Sequence, residues 1–303
     1  MDWDDLRVFL AVARAESLSG AGKVLRVDPA TVGRRVARLE EAMGAQLFAK
    51  GPQGYALTDE GARLLPHAER VEIASEGAAE ALIDARAGGQ GLTGQIRIGA
   101  PDGCANFLLP QVLAQICDEN PGLEVQIVAL PRVFNLSRRE ADMAVGVSRP
   151  TAGRLTVQKL TDYRLHLAAD AGYLARTGGV ADLEDLRRHR LVGYIPDMIF
   201  DKELDYLAET IGGSGEGGVP LASNSVSVQL NWLRMGCGVG VVHDFSLPAA
   251  PGLVKVLPDQ VSLTRSFWLI RHADDGRSAR LSRFAARLIE GARRELVRLE
   301  SMT

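Results

Sequence analysis

The chain has 303 residues, 46% of them hydrophobic and 24% charged, with a formal net charge of -3. These are ordinary values for a globular protein of two or three domains with normal cores, and they exclude long disordered tracts. Aromatic residues make up only 5%, which argues against a surface built to stack single-stranded nucleic acid.

No apolar run approaches the ~18 residues of a membrane span. The N-terminal "MDWDDLRVFLAVARAES" is acidic where a signal peptide would be basic, and it has no small-residue cleavage site. Cys104, Cys117 and Cys237 are far apart and odd in number, which points to a reducing compartment, the cytoplasm, rather than to disulfides or zinc. Charge is uneven along the chain. Residues 20 to 50 carry Lys23, Arg26, Arg34, Arg35, Arg38 and Lys50 against only Asp28, Glu40 and Glu41, a basic segment in an acidic protein.

Residues 4 to 15 predict a helix, because Leu6, Phe9, Leu10 and Ala13 recur at i, i+3, i+4 and i+7. Ser17 and Ser19 are caps for a short second helix that turns Ala21, Val24 and Leu25 inward. After "RVD", Asp28 is an N-cap and Pro29 a first helical residue, since proline's missing N–H needs no partner there. The third helix runs to Met43 and stops at Gly44. Two helices joined by a tight turn form a helix-turn-helix pattern. "QLFAK" and "YALT" around "GPQG" then read as a two-stranded wing. Thr58 caps a long helix to about Ala87, with the stripe Leu64, Leu65, Ala68, Val71, Ala74, Ala78 and Leu82. Such a helix has no domain of its own to lie on, so pairing with a second copy is the expected way to bury the stripe.

"RAGGQGLTG", residues 86 to 94, reads as a hinge. Beyond it strands ("QIRIGA", "LEVQIVAL", "ADMAVGV", "RLHLAAD", "GVGVVH", "RSFWLIRH") alternate with helices ("NFLLPQVLAQICDEN", "LDYLAETI", "SVQLNWLRM" and residues 277 to 299). This predicts an α/β region with mostly parallel strands. "GGSGEGG" at 212 to 218 reads as a surface loop.

These residues resemble the LysR-type transcriptional regulators over essentially the whole chain. The specific signal is "LRVFLAVARAESLSGAGKVLRVDPATVGRRVARLEEAMGAQLFAKGPQGYALTDEG", above all "RLEEAMGAQLF" and "LTDEG". "GQIRIGAPDGCANFLLPQVLAQICDENPGLEVQI", "EADMAVG" and "MGCGVGVV" follow in the family's order. The resemblance implies a multidomain protein. An all-α winged helix-turn-helix DNA-binding domain (1-58) is followed by a linker and dimerisation helix with its hinge (59-90). The rest (91-303) is an α/β effector-binding domain similar to periplasmic binding proteins. Its subdomain I is about 91-161 with 267-303, and its subdomain II about 162-266. Implied partners are double-stranded promoter or operator DNA, a small-molecule effector in the cleft between the subdomains, and further copies of the chain: a homodimer through the linker helix and a homotetramer beyond it. Departures from the family pattern are Gly33 for serine, Lys50 for arginine, Asp102 for serine or threonine, and "HDFSLP" after Val242.

On the third helix Val32, Val36, Leu39 and Met43 share one face, expected to pack inward. Thr31, Arg34, Arg35 and Arg38 share the other, expected to face DNA. A helix fits the major groove, where arginine pairs with guanine O6 and N7. Positions near the helix start read bases, and Arg38 and Lys50 are placed for phosphates. Gly33 either permits close backbone approach or is a tolerated substitution that costs about 1 kcal/mol against alanine. The candidate effector residues are Pro101, Asp102, Gly103 and Cys104 in "APDGCANF", with Tyr194, Ser225 and Ser227. They lie on loops at the carboxyl ends of strands, where α/β proteins bind ligands. Asp102 is either an N-cap of its own helix or a contact for a cationic or hydroxyl-rich effector. Ser225 and Ser227 are either ligand contacts or N-caps. Cys104 is either a reactive thiol at a helix start or a small buried residue.

No cofactor, metal or catalytic group is expected. "GCGVG" at 236 to 240 follows a helix and precedes a strand, the reverse of a dinucleotide fingerprint. "G-x-S-x-G" is absent, and adjacent His243 and Asp244 on a strand point to opposite faces. The other class of function, an α/β solute-binding protein or enzyme with a helical N-terminal extension, leaves the wing and the long helix unexplained.

Overall fold

The computed structural model describes residues 2–51, 54–86, 91–129, 141–151, 153–211, 219–273 and 278–303. Within 59–86 it leaves out the side chains of 73, 76, 77 and 79–86. The chain forms two units, Met1–Gln90 and Gly91–Thr303. Residues 87–90 of the expected hinge and the "GGSGEGG" segment lie outside the described residues.

The first unit contains α1 (Trp3–Ala15), α2 (Leu18–Leu25), α3 (Pro29–Met43), the antiparallel pair β1 (Phe48–Gly51) and β2 (Gly54–Leu57), and α4 (Asp59–Arg86). Helix starts follow the capping residues: Ser17 Oγ accepts from Gly20 N–H, Asp28 from Thr31 N–H and Thr58 from Gly61 N–H. Phe9, Leu10, Val12, Val32 and Leu39 are fully buried together, with Leu47 and Phe48 of the wing beside them. Each such large side chain contributes about 1.5–3 kcal/mol of burial.

Two inward assignments are corrected. Val24 is 73% exposed and Met43 43% exposed. The buried face of α2 is centred on Ala21 and Gly22 with Leu18 and Leu25 at its edges, which turns Val24 outward. Met43 is the last residue of α3, past the end of the small core. The expectation for α4 also changes in its first turns. Leu64, Leu65 and Ala68 pack on this unit's own core, and Arg14 forms a two-bond ion pair with Glu72. Val71, Ala74 and Ala78 are exposed, and the side chain of Leu82 lies outside the described residues.

The wing is pinned at its base. Glu40 at the end of α3 accepts from Leu47 and Phe48 N–H (2.8 and 3.2 Å), and Tyr55 N–H donates to Glu16 O (2.8 Å). The first turn of α4 crosses this base so closely that a Cβ on Gly61 would lie 2.1 Å from Leu47 O.

The second unit is built on a nine-stranded mixed sheet among the described residues. Its strands are β3 (Gly94–Ala100), β4 (Leu123–Ala129), β5 (Met143–Gly146), β6 (Leu155–Asp170), β7 (Leu191–Gly193), β8 (Leu221–Ala222), β9 (Val239–His243), β10 (Leu253–Val256) and β11 (Leu263–His272). The order is β4-β3-β5-β11-β6-β9-β7-β8, with β10 also on β6. The expectation of mostly parallel strands is corrected. β3 pairs in parallel with β4 and β5, and β7 with β8 and β9, but the long β6 and β11 run antiparallel through the middle. A bulge interrupts β11 between Phe267 and Trp268.

The helices are α5 (Asp102–Phe107), α6 (Leu109–Asp118), α7 (Ala171–Thr177), α8 (Leu183–Leu186), α9 (Tyr206–Ile211), α10 (Val226–Arg234) and α11 (Ala279–Glu300). The single helix expected over "NFLLPQVLAQICDEN" is two, broken at Leu108. Pro110 lacks the N–H that would continue the first helix but suits the start of the second. Helix α11 buries Phe284, Leu288, Ala292 and Leu296 in the main core.

Gly61→Ala tests how tightly the wing base is packed. Alanine gains ~1 kcal/mol of helix propensity, yet its methyl meets a backbone oxygen, so a net loss of ~1–3 kcal/mol is expected. Urea denaturation of the two full-length proteins measures it.

Candidate functional sites

The first site is the outer face of α3. Asp28 sets its start twice over, accepting from Thr31 N–H at 2.8 Å and from Thr31 Oγ at 2.6 Å; these bonds lower the Asp28 pKa. Thr31 Oγ in turn accepts from Arg34 Nη2 at 3.0 Å, which steadies the exposed Arg34 near the helix start. Arg35 pairs with Asp4 of α1 at 3.2 Å, a half-exposed contact of small energetic weight. Arg38 differs. It donates Nε and Nη2 to Asp5, a carboxylate only 3% exposed, so Arg38 neutralises a buried charge as well as facing outward. Lys50 is exposed on β1. A Cβ on Gly33 would meet only Leu18 Cδ1 at 3.4 Å, so packing against α2 does not require glycine there.

The second site lies where four strands of the second unit end. β3 leads to Asp102, β7 to Tyr194, β8 to Ser225 and Ser227, and β9 ends at His243. Asp102 is not the N-cap of its own helix: Pro101 holds that position without a side-chain bond, and Asp102 is already helical. Its carboxylate reaches α10 instead. Oδ2 accepts from Ser227 N–H at 3.0 Å and from Ser225 Oγ and Ser227 Oγ at 3.2 Å each, while Oδ1 accepts from Asn106 Nδ2 at 3.0 Å. Ser225 also caps α10, accepting from Val228 N–H at 3.4 Å.

Gly103 is buried because the His243 ring lies on it; a Cβ there would be 3.1 Å from the ring. Cys104 points away into the core and is fully buried, and burial pushes its thiol pKa up. Tyr194 borders a cavity of about 180 Å³ that Val192, Tyr206, Leu207, Gln229 and Val241 also line. Pro101 is half-buried.

His243, Tyr163, Tyr206 and Gln229 were not among the sequence candidates. His243 lies 5.4 Å from Tyr163 and 6.0 Å from Tyr206, between ring centroids. The readable signal was its place at the end of a strand; its pairing with Gly103 required the sheet order. Its neighbour Asp244 does face the other way, toward His166 Nδ1 (2.8 Å) and Lys255 Nζ (2.9 Å). Burial lowers the His243 pKa from 6.5 to about 4 against the opposing pull of Asp244 and Asp102. The imidazole is therefore neutral near pH 7. Burial also holds the Tyr194 and Tyr206 hydroxyls well above their ordinary pKa, so both stay protonated.

Residues 3–62 match the family described as "Bacterial regulatory helix-turn-helix protein, lysR family", and residues 89–293 match "LysR substrate binding domain". The chain belongs to the LysR family. Similar relatives include the HTH-type transcriptional regulator CrgA of Neisseria meningitidis, 24% identical over 95% of this chain and 96% of that one. HTH-type transcriptional regulator DmlR of Escherichia coli is 28% identical over 84% and 83%. A full-length OxyR variant from Pseudomonas aeruginosa shares the fold with a TM-score of 0.68 at 19% identity, over 96% of this chain and 94% of that one. LysG from Corynebacterium glutamicum, solved with bound effector Arg, gives 0.61 at 18% over 96% and 98%. The LysR assignment makes this chain a DNA-binding transcriptional regulator with an effector-binding region, not an enzyme.

His243 gives a pH test. Its proton binds the unfolded chain near 6.5 and the folded one near 4, so its contribution to stability is complete above pH 6.5 and is lost as pH falls toward 4. The expected loss is about 3 kcal/mol at 1.36 kcal/mol per unit. His243→Phe is expected to flatten that part of a urea-midpoint profile against pH.

Proposed function

We propose that this LysR-family regulator reads an operator through the N-terminal face of α3, with Thr31, Arg34 and Arg35 toward bases and Arg38 and Lys50 toward phosphates. The observation that carries the reading is Arg34, exposed at a capped helix start and held by Thr31 rather than by an acid. Arg38 has a double role, since its pairing with buried Asp5 couples phosphate contact to the packing of α1 on α3.

The working division is 1-58 for DNA reading, 59-90 for the linker and dimerisation helix, and 91-303 for effector sensing. The last splits into subdomain I (about 91-161 and 267-303) and subdomain II (about 162-266). The exposed apolar Val71, with Ala74 and Ala78 on the same stripe, supports pairing of α4 with a second copy. Homodimers paired in this way assemble further into a homotetramer. A small molecule binds where Asp102, Tyr194, Ser225 and Ser227 converge, in keeping with an effector described in LysG. Binding shifts the population between assemblies with different operator affinity.

Mobility shifts on promoter DNA test the reading of α3. Arg34→Ala is expected to cost about 1–3 kcal/mol and to relax preference at one base position. Lys50→Ala is expected to weaken binding evenly across sequences and to lower the salt slope by about one. If neither variant alters operator binding, the assignment fails.

Val71→Glu places a charge on the α4 stripe. Sedimentation is expected to show a smaller assembly with unchanged thermal stability of the second unit. An unchanged sedimentation coefficient counts against pairing through α4.

A further inference from the structure

Asp102 places a carboxylate of the chain's own at the start of α10. A helix N-terminus presents unpaired N–H groups and favours an anion. At α10 that anion is supplied by the chain itself, because Asp102 Oδ2 takes Ser227 N–H and both serine hydroxyls. All four of its donors, Asn106 included, are neutral, so its charge is solvated but not cancelled.

Among the described residues no cation hydrogen-bonds or ion-pairs with Asp102. Arg265 is already paired with Glu203 and Glu209. Asp201 acts on Tyr206 as a further negative group. Beside Asp102, His243 Nδ1 is completely buried and has no hydrogen-bond partner. The hydroxyls of Tyr163 and Tyr206 are near enough to interact, without hydrogen-bond geometry between them. The Tyr194 and Tyr206 rings, 6.0 Å apart, add faces that attract a cation.

We propose that Asp102 is a tethered anion that closes the anion position at α10, so that the pocket selects an effector bearing an amine or amidine and rejects acids. This rests on the effector reading above. A free carboxylate would have to displace Asp102 and lie beside its charge. An ammonium group gains Asp102 Oδ1 and the aromatic faces of Tyr194 and Tyr206.

The test is thermal denaturation of the full chain and of Asp102→Ala in sodium chloride, sodium acetate and ethylammonium chloride at equal ionic strength. Acetate is expected to raise the variant's midpoint in a saturable way, by replacing the deleted carboxylate, and to leave the native midpoint unmoved. Ethylammonium is expected to raise the native midpoint more than the variant's. If acetate raises both proteins alike, or neither, the tethered anion is overturned. If ethylammonium acts equally on both, charge selection is overturned. Where Asp102→Ala does not fold, Asp102→Ser carries the same arms. A screen of metabolites against operator binding separates the two readings. A carboxylate that stabilises the native chain and alters operator binding overturns this proposal and keeps the effector site. If no small molecule alters operator binding, the effector site is lost and the proposal with it, whatever acetate does to the variant.

Discussion

Every α-helix begins with backbone N–H groups that have no partner inside the helix, and both candidate sites follow from how this chain supplies partners. At α3 the supplier is local: Asp28 accepts from the backbone and hydroxyl of Thr31, and Thr31 in turn holds Arg34. At α10 the supplier is remote, because Asp102 comes from another helix 125 residues away in sequence. The first arrangement starts a short helix at a defined residue and sets the direction of its arginines. The second ties the ends of β3 and β8 together through one carboxylate.

The same contrast between near and far partners sorts the arginines. Arg34, Arg35 and Arg38 look equivalent on a helical wheel. In the fold each has a different electrostatic partner: a threonine hydroxyl, the half-exposed Asp4 and the buried Asp5. Only the last involves a carboxylate removed from water, where loss of the partner charge is costly. Arg38 is therefore tied to the stability of the helical unit in a way that Arg34 is not. An acidic chain can carry a basic helix face because α1 supplies the balancing acids beneath it.

Much of the fold was readable. Caps at Ser17, Asp28 and Thr58, the stop at Gly44, the wing around its turn and the alternation of strands and helices follow from local chemistry and apolar spacing. The misreadings share a cause, which is that periodicity names a face but not what covers it. Val24 and Met43 lie at the edges of small-core faces and are left in solvent, while Leu64, Leu65 and Ala68 found cover within their own unit. Strand direction was also hidden, since β6 and β11 can run either way with the same apolar pattern.

By itself the sequence determined the helix starts, the two-faced α3 with its arginines, and the strand-to-helix loops in or beside which Asp102, Tyr194, Ser225 and Ser227 sit. These depend on interactions within a few residues, or on family-wide motifs. Only the tertiary structure decided which of those loops meet, that Asp102 caps α10 rather than α5, and that His243 lies on Gly103. Those facts depend on sheet order. Hydrogen bonds spanning more than a hundred residues leave no periodic trace in the chain that makes them.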